Sequence, residues 1–144
     1  MIKHIWSVLC THAITDKASN NMSLVEVLEE IQLRVEKGTS KENTAVPFPI
    51  YWVTLWARME QGKPSCAHAK DIVIDPSGNT VLDKKYDVDL SEHKRTRFVR
   101  NLQGMPVPSS GQYRFHTQLL DEKSHAWEDV SDVPLEITIE IRGL

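Results

Sequence analysis

The stretch Asp71–Leu120 opens with DIVIDPSGNT (71–80) and closes with SSGQYRFHTQLL (109–120). Asp75-Pro76-Ser77-Gly78 meets the demands of a type I turn position by position. Asp75 can accept backbone N–H groups, Pro76 presets φ at the second position, Ser77 tolerates the third, and Gly78 takes the positive φ of a bulge. Ile72, Val73 and Ile74 lead in, and Val81 and Leu82 lead out, so a β-hairpin is predicted. Oxygen-bearing side chains alternate at Asp75, Ser77 and Asn79, but a calcium loop of the EF type needs a longer ligand run and a closing Glu. At the far end, Tyr113, Phe115, Thr117 and Leu119 alternate with Arg114, His116, Gln118 and Leu120, which is the period of a strand.

The same period recurs outward from this stretch. Leu135, Ile137, Ile139 and Ile141 form an apolar face opposite Glu136, Thr138, Glu140 and Arg142, and Tyr86, Val88 and Leu90 alternate with Asp87 and Asp89. In residues 94–102, Thr96, Phe98 and Leu102 oppose Arg95, Arg97 and Val99. In residues 50–60, Tyr51, Val53, Leu55, Ala57 and Met59 are assigned to the core, with Trp52, Trp56 and Arg58 on the other face. Residues 4–12 carry large apolar groups on both faces, as does a strand covered on both sides or one lying where a sheet turns over. Asp16–Asn21 is a polar break, 38–49 is a connection holding Pro47 and Pro49, and 61–64 (Gln-Gly-Lys-Pro) breaks the chain again. Ser23–Lys37 is ambiguous. Ser23 and Glu26 have capping-box spacing, and Leu24, Val27, Leu28 and Ile31 have helical spacing. Against that, Val25, Val27, Ile31, Leu33 and Val35 fall on one strand face. Seven or eight short strands with turns between them predict an all-β, antiparallel β-sandwich.

Length and composition set the frame. The chain has 144 residues, 40% hydrophobic and 26% charged, which fits a single domain over 1–144 with a core that needs no staples. A net charge of −3 gives no general attraction to nucleic acid or anionic membrane. The two cysteines, Cys10 and Cys66, make no disulfide framework and are expected as reduced thiols. The apolar run Ile5–Cys10 is too short for a secretory leader, and no run reaches the ~20 apolar residues of a membrane-spanning helix. A cytoplasmic protein is expected.

Searched for chemistry, the sequence offers little. The six histidines fall in no HxH, HxxxH or HExxH spacing, and there is no CxxC, so no metal and no cofactor are expected. Nucleophile elbow, P-loop and dinucleotide fingerprints are absent from the sequence. Glu29/Glu30 and Asp87/Asp89 read as solvated acids, and a Cys10 nucleophile would need a base that sequence cannot place. No enzyme activity is expected. The basic segment 93–100 (HKRTRFVR) would meet phosphates in a nucleic-acid reading. The acidic balance of the chain favours instead a solvated strand face whose arginines discourage edge pairing.

Taken in order, IWSVLC, DKASNNMSLVEVLEEI, YWVTLWAR, IDPSGN, KRTRF, SGQYRF and VPLEI resemble a family of uncharacterised small bacterial proteins of about this length with an Ig-like β-sandwich fold. The resemblance tips Leu24–Val35 toward strand. It also implies that Tyr113 serves as a tyrosine corner and that Phe115 stands where the second cysteine of antibody domains would be. No activity is implied. Two functions are then expected. One is a non-enzymatic interaction module that binds a protein partner or its own copy, with a homodimer as one form. Its surface would carry Trp52, Trp56 and Arg58, with Arg95 and Arg97 nearby. The alternative is a small-ligand or carbohydrate-binding sandwich with a tryptophan platform, marked by a concave face with tryptophan beside Asp, Asn or Arg.

Overall fold

A computed structural model describes residues 1–59 and 65–142, so the predicted break at 61–64 lies outside the described residues. Nine strands follow in order: β1 (Ile2–Thr15), β2 (Met22–Val27), β3 (Glu30–Glu36), β4 (Ile50–Arg58), β5 (Cys66–Ile74), β6 (Thr80–Asp89), β7 (Arg95–Leu102), β8 (Gly111–Leu120) and β9 (Trp127–Arg142). They form two packed sheets, in the orders β2-β1-β4-β7 and β3-β9-β8-β5-β6. A single 3-10 turn, Lys41–Asn43, is the only helical element among the described residues, and none there is long and apolar enough to cross a membrane. The order β1-β4-β7 facing β6-β5-β8-β9 is the immunoglobulin arrangement, with β4, β5, β7, β8 and β9 standing as strands B, C, E, F and G.

Two details differ from the sequence reading. Ser23–Lys37 is extended, but as two strands in different sheets rather than one. Glu26 adopts φ 57°, the chain crosses between sheets at Leu28–Glu29, and the Leu28 N–H donates to the Leu9 carbonyl at 2.8 Å. That crossover brings the count to nine strands, and it makes β3 pair with β9 in parallel while every other named pairing is antiparallel.

The predicted hairpin joins β5 to β6. The Gly78 N–H donates to the Asp75 carbonyl at 3.0 Å, and Asp75 Oδ1 accepts from Ser77 N–H and Asn79 N–H at 3.0 and 2.9 Å. This turn touches the start of β8. A side chain at Gly111, where φ is 142°, would meet the Pro76 ring at 2.7 Å, so glycine is required at that crossing. Two residues on, the buried Tyr113 hydroxyl donates to the Ser109 carbonyl at 2.7 Å, forming the tyrosine corner.

The inter-sheet core has two apolar halves with polar residues at their boundary. One half holds Trp52, Tyr113, Phe115, Leu135 and Ile137; the other holds Ile2, Trp56, Ala69, Val88 and Leu90. Thr54 lies between the two tryptophans on β4, and Asp71 lies between Ala69 and Val73 on β5. Buried Asp71 accepts from Arg100 Nε at 2.8 Å and from Thr117 at 3.3 Å. Burial pushes its carboxyl above the ordinary range, while Arg100 and Thr117 pull the other way. The Arg100 guanidinium lies over Tyr86 and Phe98, whose rings stack at 3.9 Å.

Candidate functional site

The face expected to be functional on β4 points inward. Trp52 and Trp56 are 1% and 0% exposed, and Trp52 packs on Phe115 of the opposite sheet. Arg58, on the same side, donates from Nη1 to the Leu90 carbonyl at 3.0 Å and so ties down the segment after β6. These three residues are structural, and the assignment of the two faces of β4 is reversed. The physical reason is a covering layer outside the sheet. Beyond Cys10, β1 no longer pairs with β4 but continues with β2 as a hairpin arm. The arm turns back over the outer face of the four-stranded sheet. Val53 and Cys10 point outward yet are completely buried. With both faces of β4 covered, its apolar alternation does not mark the core side. Met59, assigned to the core, is 56% exposed.

The arm ends in a tight turn that Asp16 organises. Asp16 N–H donates to the Asn21 carbonyl and Asn20 N–H to the Asp16 carbonyl, both at 2.8 Å, while Asp16 Oδ1 accepts from Ala18 N–H. Asn20 takes φ 61°, a conformation asparagine tolerates better than most residues. The turn reaches across β4 to β7, where Arg97 Nη2 donates to the Asn20 main-chain carbonyl at 2.8 Å and to its Oδ1 at 3.1 Å.

Between arm and sheet lies an open cleft of about 730 Å³. Its floor follows from strand register. Trp6, Leu55 and Arg97 are cross-strand partners on β1, β4 and β7, with Val99 two residues along β7. His93, Arg95 and Thr96 close one side; Thr15, Asn20, Asn21 and Met22 close the other. No Asp or Glu is among the described lining residues, although the chain carries 20 acidic residues. Arg95 is exposed and forms no ion pair with the described residues, whereas Arg100, from the same basic segment, turns inward to Asp71. Of the five residues expected at a binding surface, Arg95 and Arg97 therefore meet in the cleft, and Trp52, Trp56 and Arg58 do not.

Sequence reasoning held His93 only as part of the basic segment 93–100 and missed Trp6, Asn20 and Asn21. Trp6 had a signal, since it shares its strand face with Val8 and Cys10. A bulge at Ile5, between the His4–Trp56 and Trp6–Leu55 pairs, makes His4 point inward and Trp6 outward although their numbers have the same parity. Asn20 and Asn21 carried only a turn signal.

Other candidates for chemistry have local roles. Cys10 donates to the Tyr51 carbonyl at 3.7 Å, and burial pushes its thiol up, away from thiolate character. Cys66 is exposed on the other sheet and donates to Asp89, which raises its thiol as well; both cysteines are free. Asp87 and Asp89 face His68 and Cys66 across β5 and β6, and no group of three or more His, Cys, Asp or Glu among the described residues is placed to hold a metal.

No family model and no curated protein matches the sequence. Among solved structures, similarity extends to one described as "putative beta-galactosidase from bacteroides fragilis", at 13% identity and a TM-score of 0.47, over 68% of this chain and 14% of that one.

Proposed function

We propose that this protein is a non-enzymatic binding module that takes a small ligand in the cleft between the β1–β2 arm and the outer face of the four-stranded sheet. The observation that carries this reading is the cleft's composition. An apolar floor of Trp6, Leu55 and Val99 is bordered by the polar groups of Asn20, Asn21, Arg95 and Arg97. Its volume falls within the ~300–1,000 Å³ typical of small-ligand sites, which pair an apolar lining with a few placed polar groups. Asn20 and Arg97 are held in position, since their contact ties the arm to the sheet.

A thermal-shift screen of small molecules and oligosaccharides against the natural chain and Val99→Glu tests this. Val99 is 41% exposed on β7, so the substitution places a carboxylate in the cleft at little cost to folding. Ligands of the cleft raise the melting temperature of the natural chain and leave Val99→Glu unmoved. A screen whose stabilising compounds act equally on both chains, or one with none, rejects the reading.

A second reading, self-association or a protein partner, has its own observation. Ile14, Val25 and Val27 on the arm are 56%, 46% and 56% exposed. Val25→Lys with Val27→Lys converts a dimer to a monomer by mass in solution under that reading, and leaves ligand binding in the cleft intact under the first.

A further inference from the structure

We infer that the ligand of this cleft is a small ring-bearing anion: a carboxylate or phosphate joined to a sugar or aromatic ring. The inference rests on the cleft reading above and adds the chemical class. Its first support is charge placement. The chain is net acidic, yet two guanidiniums and the imidazole side chain of His93 border one cleft with no carboxylate among the described lining residues. Elsewhere among the described residues the surface arginines Arg34, Arg114 and Arg142 pair with Glu140, Asp132 and Glu36, Arg100 turns inward to Asp71, and Arg58 donates to the Leu90 carbonyl. Arg95 and Arg97 have no acid partner among the described residues. Among the described residues Arg97 donates only to neutral oxygens of Asn20, and the exposed Arg95 has five N–H donors with no ion-pair partner. A planar fork of that kind matches carboxylate and phosphate oxygens two at a time.

The second support is the floor. Trp6 is half-buried between the arm and Leu55, on the same sheet face as Arg97, so an anion held at Arg95 and Arg97 has its remaining bulk over an indole and two aliphatic side chains. Sugar rings and aromatic rings both bury a flat apolar face, and the side-chain amides of Asn20 and Asn21 are donors and acceptors for hydroxyls or ring nitrogens at the edge. A bare inorganic anion would leave that floor unused, and a neutral ring would leave the Arg95 guanidinium without an anionic partner among the described residues, beside an Arg97 already bonded to Asn20.

Isothermal titration at low and moderate salt with four probes tests this: a nucleoside monophosphate, a hexuronate disaccharide, a neutral disaccharide of the same size, and inorganic phosphate. Binding is expected for at least one of the first two, weakening with salt, and at least tenfold tighter than for the matching neutral or ringless probe. Arg95→Ala is expected to weaken it about tenfold to a hundredfold, with Arg95→Lys in between. Whether the nucleotide or the uronate binds tells which source supplies the anion. A neutral disaccharide that binds as tightly as the uronate, or phosphate as tightly as the nucleotide, overturns the inference. So does failure of both charged probes. The cleft reading survives each of these results if the screen yields compounds sensitive to Val99→Glu, and falls with it if there are none.

Discussion

Trp52 on β4 and Phe115 on β8 meet edge to face between the two sheets, with ring centroids 5.1 Å apart and planes at 82°. In antibody domains, strands B and F are tied by a disulfide at the centre of the core. Here an aromatic pair joins the corresponding strands, and both cysteines lie elsewhere as free thiols. Trp52→Ala and Phe115→Ala are each expected to cost about 3–5 kcal/mol in chemical denaturation, because large buried rings leave cavities the sheets cannot close. The double variant should cost less than the sum, since each single change already removes the shared contact.

The Asp71–Arg100 pair fixes the boundary between the two core halves. Asp71 is 1% exposed, and removing its partner strands a charge away from water. Arg100→Ala is expected to destabilise the fold by about 3–5 kcal/mol. Joint replacement by Asp71→Val and Arg100→Met should cost much less than either loss alone. Equal costs for the single and joint changes in urea unfolding would place the stabilisation outside the pair.

His4 supplies a pH dependence. It is packed edge-on against Trp56 and hydrogen-bonded to Ser7 at 2.7 Å, and burial lowers its pKa from the ordinary value of 6.5. The folded state thus binds this proton less readily than the unfolded chain. The resulting stability is present above the unfolded value and is lost as pH falls through the folded one. Melting temperature should drop on acidification below about pH 6.5, and part of that slope should vanish in His4→Gln. An imidazole that titrates by NMR above its ordinary value would reverse the sign.

Gly111→Ala tests the contact between the two motifs at one end of the sandwich. The added methyl group meets Pro76 at 2.7 Å at a φ that favours glycine, so a loss of about 1–3 kcal/mol is expected. Pro76→Gly in the same chain should recover the steric part and leave the backbone part.

Much of this architecture was legible because it rests on local rules. The Asp75–Gly78 turn and the alternation of β8 and β9 each depend on a few adjacent residues, and each is as the sequence reads, while the tyrosine corner at Tyr113 follows from the resemblance and not from spacing. The site was legible only in part. Period-two alternation tells which residues share a face but not what covers it. On β4 both faces are covered, one by the opposite sheet and one by the arm, so the larger aromatic residues mark the core and not a surface. The arm itself depends on contacts far apart in the chain, such as Asn20 with Arg97, which no local pattern announces.

The four tryptophans allow the most direct test of the cleft as the binding site. Indole N–H signals are followed by two-dimensional NMR of the ¹⁵N-labelled chain during titration with whichever ring-bearing anion binds. Trp6 lines the cleft, whereas Trp52 and Trp56 lie in the core and Trp127 packs beside Lys70 on the other sheet. The predicted result is a saturable shift of the Trp6 signal, abolished by Val99→Glu, with the other three unmoved. Saturable shifts at Trp127, Trp52 or Trp56 with Trp6 unchanged would contradict it and place binding elsewhere.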